Sequence, residues 1–166
     1  MNMRLLIIFI FTCSAAVGQT KSELLKQLNR DVWLPFIQGV NANQPEVYNS
    51  MLASDFYWVA GGNKTRIMNA KDYIEDARLV MNDRQKKNIG TNLEVRFLER
   101  HVNENFAAEK CIIKYTSIPP DQQPSTSYGI MQVFSKLDQG RWKKYIQYIA
   151  TEPCSAEQYD KAIPLE

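Results

Sequence analysis

Glu99, His101 and Glu109 stand close together in the chain, and their side chains are of the types that move protons in enzymes. A hairpin with a three-residue turn at 103–105 pairs Val102 with Phe106. It then sets His101 opposite Ala107 and Glu99 opposite Glu109 on one face. Two facing carboxylates repel, so either one is held protonated or His101 becomes cationic between them. That is the equipment of an isomerase, dehydratase or cyclase. The contrasting reading leaves all three at an exposed hairpin end, where solvent screens them, and a two-residue turn would reverse every facing.

A second set is aromatic. Trp33, Phe36, Trp58, Tyr73, Phe97, Tyr115 and Tyr145 fall on inward faces of the predicted elements, and Gln132, Gln147 and His101 are polar groups that could orient a guest among them. Such a lining suits a small apolar or aromatic molecule, and equally suits a filled core. Cys111 and Cys154 either form a disulfide or stay a small core residue and a free thiol. One histidine and no Cys-x-x-Cys pair give a metal ion no site, and no motif calls for a cofactor. The basic clusters Arg84-Lys86-Lys87 and Arg141-Lys143-Lys144 read as solvated surface, and Asn63-Lys64-Thr65 matches a glycosylation acceptor.

The elements that must position these residues begin after an export leader. Residues 1–18 have Arg4 at the charged end, the apolar run Leu5 to Phe11, and small residues before Gln19. The apolar run is too short to span a bilayer, and no later segment approaches the length required. The expected location is periplasmic or extracellular, with a lipid anchor on Cys13 as the rival reading. A net charge of +2, smaller still once Arg4 is lost, gives no reason to expect nucleic acid as partner. Residues 19–152 then suffice for one domain, and 153–166, with Pro153 and Pro164, read as a loosely attached tail.

Within the domain, Thr20 and Glu23 form a capping box ahead of a long amphipathic helix, and Pro35 predicts a kink near Leu34. A short second helix starts from Asn43. Phe56 to Ala60 and Lys64 to Met68 read as a hairpin, and a third helix runs from about Ala70 to Met81. The polar stretch 82–92 reads as a loop. Four antiparallel strands follow at 93–102, 106–116, 127–137 and 142–151.

Two stretches, Val47-Tyr-Asn-Ser-Met-Leu-Ala-Ser-Asp-Phe-Tyr-Trp-Val-Ala60 and Val133-Phe-Ser-Lys-Leu-Asp-Gln-Gly-Arg-Trp-Lys-Lys-Tyr145, resemble nuclear transport factor 2-like, or SnoaL-like, domains. The resemblance covers about Leu24 to Thr151. It implies an α+β cone, a curved antiparallel sheet wrapped around the long N-terminal helix with an apolar pocket at its open end. It also implies where an enzyme of this architecture would keep its groups. The catalytic base of ketosteroid isomerase falls on Ala60, the enolate-stabilising tyrosine on the stretch from Trp33 to Phe36, and the second acidic donor near Gln132. Ala60 cannot take a proton, and Gln132 donates a hydrogen bond without being an acid.

Three functions follow as expectations: a non-catalytic pocket domain for a small apolar or aromatic molecule; a proton-transfer enzyme using His101 with Glu99 or Glu109; or a homodimeric interaction module packing outer sheet faces that carry Leu98, Ile112, Ile146 and Tyr148.

Overall fold

The computed structural model describes residues 19–62 and 65–165; the expected leader with Cys13, and Asn63 and Lys64, lie outside the described residues. The capping box forms as predicted. The Glu23 amide donates to Thr20 Oγ1 at 3.3 Å, and the Thr20 amide donates to Glu23 Oε2 at 2.8 Å, opening α1 (Lys21–Leu28). Pro35 has no amide hydrogen to give. The helix absorbs that loss in one wide π turn, Asn29–Trp33, in which the Leu34 amide reaches back five residues to the Asn29 carbonyl, before α2 (Leu34–Asn41) resumes. The wide turn buries Asn29, Asp31, Val32 and Trp33 together.

The second helix is reduced to a 3-10 turn, Pro45–Val47, and the single turn α3 (Tyr48–Met51). Gly39 is required here, because a Cβ at that position would overlap the Val47 side chain. β1 (Leu52–Ala60) and β2 (Arg66–Asn69) make the predicted hairpin. α4 (Ala70–Lys86) starts at the Asn69 cap and runs past Met81 through residues read as loop. Their polarity reflects a solvent-facing helix end, and Arg84, Gln85 and Lys86 are good helix formers.

β3 (Gly90–Val102), β4 (Phe106–Ile118), β5 (Ser125–Asp138) and β6 (Arg141–Ile149) form the meander. With the short β7 (Ile163–Pro164) the sheet is mixed, in the order β2-β1-β6-β5-β4-β3-β7, because β1 lies parallel to β6. One face carries the main core against α1, the π turn, α2 and α4, with Leu28, Val32, Trp33, Met51, Phe56, Phe97, Met131 and Trp142 nearly inaccessible.

The tail is not loosely attached. Ser155 and Gln158 form a second capping box for α5 (Ala156–Lys161), and β7 (Ile163–Pro164) pairs with Arg96 and Phe97 on the edge of β3. Tyr159 is buried on Ile112 and Ile130 on the opposite sheet face, donates to Glu94 Oε2 at 3.2 Å, and lies under the Arg96 guanidinium. The proline content suggested a free end, but one aromatic anchor provides enough burial to hold it.

Candidate functional site

The proton-transfer trio does not assemble. Asn103 Oδ1 accepts from the Asn105 and Phe106 amides and lengthens the turn, so Val102 pairs with Ala107, His101 with Ala108, and Arg100 with Glu109. Upstream, Leu98 is skipped in the ladder: Phe97 pairs with Cys111 and Glu99 with Lys110. This bulge inverts the facing of everything after it. Glu99 and His101 point outward, the His101 side chain 75% exposed and 3.8 Å from Glu99, whereas the Glu109 side chain is fully buried beside Arg100.

The aromatic set divides between two faces and two degrees of burial. Trp33, Phe36 and Phe97 are core, with ring centroids 5.1 Å apart for Trp33 and Phe97 and 6.3 Å apart for Trp33 and Phe36. Phe36 leads to Tyr48 at 6.2 Å, and Tyr48 to Tyr73 at 5.5 Å. Tyr73 stacks on Trp58 at 6.1 Å with 25° between planes. Trp58, Tyr73 and Tyr115 are only half-buried, and Arg84 lies 5.1 Å over the Tyr115 ring. Tyr145 and Gln132 are not in the interior. Gln132 alternates outward between the buried Met131 and Val133. Tyr145 sits in a second bulge, opposite the step from Phe134 to Ser135, and lines a shallow outer cleft of about 270 Å³ with His101, Phe106 and Phe134. Ala60 does lie on the inner face, two residues beyond Trp58 at the end of β1, and pairs with Ile149.

The interior instead holds a polar network in which Arg100, Asn29 and Lys144, not singled out by the sequence pattern, join the expected Glu109, Trp33, Tyr73 and Gln147. Glu109 Oε1 accepts from Arg100 Nε at 2.7 Å and its Oε2 from Trp33 Nε1 at 2.8 Å, while Arg100 also donates to Asn29 Oδ1 at 2.5 Å. Burial pushes the Glu109 carboxyl above its ordinary range, and Arg100 and Trp33 pull it back in part. Lys144, read as surface, is 0% exposed: its Nζ donates to Gln147 Oε1 at 3.1 Å and lies 3.5 Å from the centre of the Phe36 ring. Desolvation lowers its pKa to about 7. Gln147 in turn bonds the Tyr73 hydroxyl, which burial holds up at about 12. A file of polar groups therefore runs from half-buried Tyr73 through Gln147 to Lys144. The alternation from Trp142 to Lys144 carried this signal, because a tryptophan facing in brings the residue two positions later with it. Asp31 fixes the start of that strand by accepting the Trp142 amide at 3.2 Å.

Cys111 and Cys154 are free thiols on opposite sides of the sheet, Cys111 in the inner core and Cys154 against the cluster around Ile112 and Tyr159. The intervening sheet prevents a bridge. Among the described residues, no group of histidine, cysteine or carboxylate side chains could hold a metal ion, and no helix is long and apolar enough to cross a membrane.

Neither a protein-family model nor a curated protein matches the sequence. Solved structures do match the fold. A nuclear transport factor 2-like superfamily protein from Salmonella enterica superposes with a TM-score of 0.63 at 11% identity, covering 82% of this chain and 96% of that one. A scytalone dehydratase-like protein from Novosphingobium aromaticivorans gives 0.62 at 14% identity over 85% and 92%. A nuclear transport factor 2-like protein from Cytophaga hutchinsonii gives 0.57 at 10% over 80% and 98%. The fold is the nuclear transport factor 2-like fold.

Proposed function

We propose that this nuclear transport factor 2-like domain works outside the cytoplasm and binds a small apolar or aromatic molecule between α4 and the sheet, without a catalytic carboxylate. The observation that carries the reading is the difference among the aromatics. Most interior rings are buried, but Trp58, Tyr73 and Tyr115 remain half-buried, as do Ile113 and Ile149 beside them. A planar guest would complete the burial of these groups, entering where Trp58 and Tyr73 now stack on each other. The buried carboxylate Glu109 has both oxygens engaged, Oε1 by Arg100 and Oε2 by Trp33.

Thermal denaturation with a panel of neutral aromatic compounds tests the reading. A ligand at one hundred times its dissociation constant stabilises the native state by about 2.7 kcal/mol, and the shift should vanish in Trp58→Ala. No shift with any member contradicts it. Export is supported by the position of the Thr20 capping box, which lies wholly after the expected cleavage point and leaves α1 complete. A mature N-terminus at Gln19 is the expected result. An uncleaved Met1 in the cytoplasmic fraction contradicts this part.

A second reading, a homodimer, has its own observation. Tyr57, Ile146 and Phe134 lie in one row across β1, β6 and β5 on the outer face, and Ile67, Val59 and Tyr148 in the next. Ile112, expected in this patch, is covered by Tyr159. Sedimentation of the wild type against Phe134→Lys separates a dimer from a monomer; a monomeric wild type at high concentration removes the reading.

A further inference from the structure

Lys144 is a buried amine with unmet donor capacity. Its ammonium form has three N–H bonds to give, and among the described residues its hydrogen-bond acceptor is Gln147 Oε1. The neighbouring carboxylate is already committed, with Glu109 Oε1 to Arg100 and Oε2 to Trp33. The other neighbours are the Phe36 and Trp33 rings, at 3.5 and 5.1 Å, and the un-ionised Cys111 thiol. Burial of the amine is costly, and the nearby Glu109 charge offsets only part of the loss of water. A chain with only packing to satisfy would place a methionine there.

The amine also stands at the inner end of the file that starts at the half-buried Tyr73 and passes through Gln147. Tyr73 and Trp58 close the outer end by stacking on each other. Parting them also moves the Tyr73 ring away from Tyr48 and Phe56, which lie 5.5 and 5.3 Å from it. A guest that parts them meets an apolar aromatic wall first, and a positively charged donor beyond it.

We infer that the molecule bound in this domain is an aromatic acid, whose carboxylate accepts from Lys144 while its ring lies against Trp58 and Tyr73. The inference rests on the ligand-binding reading given above and narrows the class of ligand. It also gives binding a proton signature. The free protein holds Lys144 near the midpoint of its titration at neutral pH, and a bound carboxylate favours the ammonium form, so binding draws a proton from solvent. The other ionisable groups facing this region are Glu109 and Cys111 on β4, Arg100 on β3, Asp31 on the π turn, Tyr48 on α3, whose phenol burial raises, and Tyr73 on α4. Burial raises the Tyr73 hydroxyl to about 12 and pushes the Cys111 thiol upward. Burial raises the Glu109 carboxyl, opposed in part by Arg100 and Trp33, and calorimetry repeated with Lys144→Met separates its protons from those of Lys144.

Isothermal calorimetry of the full domain with benzoate and with benzyl alcohol, in buffers of different ionisation enthalpy between pH 6 and 9, tests the inference. Benzoate should bind at least tenfold more tightly than benzyl alcohol at pH 7, with proton uptake approaching one at pH 8 and affinity falling about tenfold per unit above that. Lys144→Met should abolish both the preference and the uptake while retaining benzyl alcohol binding, and Lys144→Arg should keep the preference without the decline at high pH. Equal affinities without proton uptake would overturn the inference and leave the ligand-binding reading standing. Binding of neither probe would overturn both.

Discussion

Lys144→Met exchanges a buried amine for an unbranched apolar side chain of similar length. The wild-type fold holds this amine at about 7 against 10.5 in the unfolded chain. At about 1.4 kcal/mol per unit, that difference costs the native state about 4 kcal/mol at neutral pH. Two losses offset the relief. The contact of Nζ with the Phe36 ring disappears, worth about 1 kcal/mol, and Gln147 Oε1 loses its donor, worth about another 1 kcal/mol. The net expectation is a gain of about 2 kcal/mol, or a melting temperature raised by about 4–8 °C for a domain of this size. The pH dependence follows from the lowered pKa. Between about 7 and 10.5 the unfolded chain binds more protons at this lysine than the folded one, so wild-type stability rises with pH across that window, and this group adds no further change below it. The advantage of the methionine variant should therefore shrink as pH increases. Thermal or urea denaturation of both proteins from pH 6 to 10 reads the difference. A variant less stable than wild type at pH 7, with a gap that does not change with pH, would refute the account of Lys144.

Glu109→Gln should destabilise the domain by about 3 kcal/mol, seen as a lower urea midpoint, because Arg100 keeps its charge in a buried site and loses its counter-ion. Tyr159→Ala should expose the last segment to proteolysis and speed hydrogen exchange in α5 and β7 while protection in β5 and β6 persists, since the tail is anchored chiefly on Ile112 and Ile130. Thiol titration of the native protein should report one reactive cysteine, Cys154, with Cys111 reacting only on unfolding; a disulfide in the exported protein would contradict the placement of the two on opposite sheet faces.

Individual elements were legible because periodicity, capping residues and turn chemistry are local. Thr20 with Glu23, Asn69 with Asp72, and Gln139-Gly140 at positive φ each act over a few residues. What was not legible depends on single-residue insertions. Leu98 and Tyr145 each interrupt a ladder, and each reverses the facing of the residues that follow. Strict alternation therefore put His101 inside and Tyr145 in the interior. The π turn has a cause visible in the sequence, Pro35, but its consequence, the burial of Asn29 with Trp33, depends on how the lost hydrogen bond is absorbed. The tail was misjudged because two prolines are a local signal, whereas the site that receives Tyr159 is built from β4 and β5, distant in sequence.

The three tryptophans give the central claim its most direct test, because each reports a different depth. In a nitrogen-15 spectrum the indole of Trp58 stands at the half-buried end, that of Trp33 donates to Glu109, and Trp142 lies in the core. Titration with benzyl alcohol is predicted to shift the Trp58 indole in a saturable manner and to leave that of Trp142 in place. A Trp58 resonance that does not move at saturating concentrations, or shifts spread equally over all three, would contradict the assignment of the binding site.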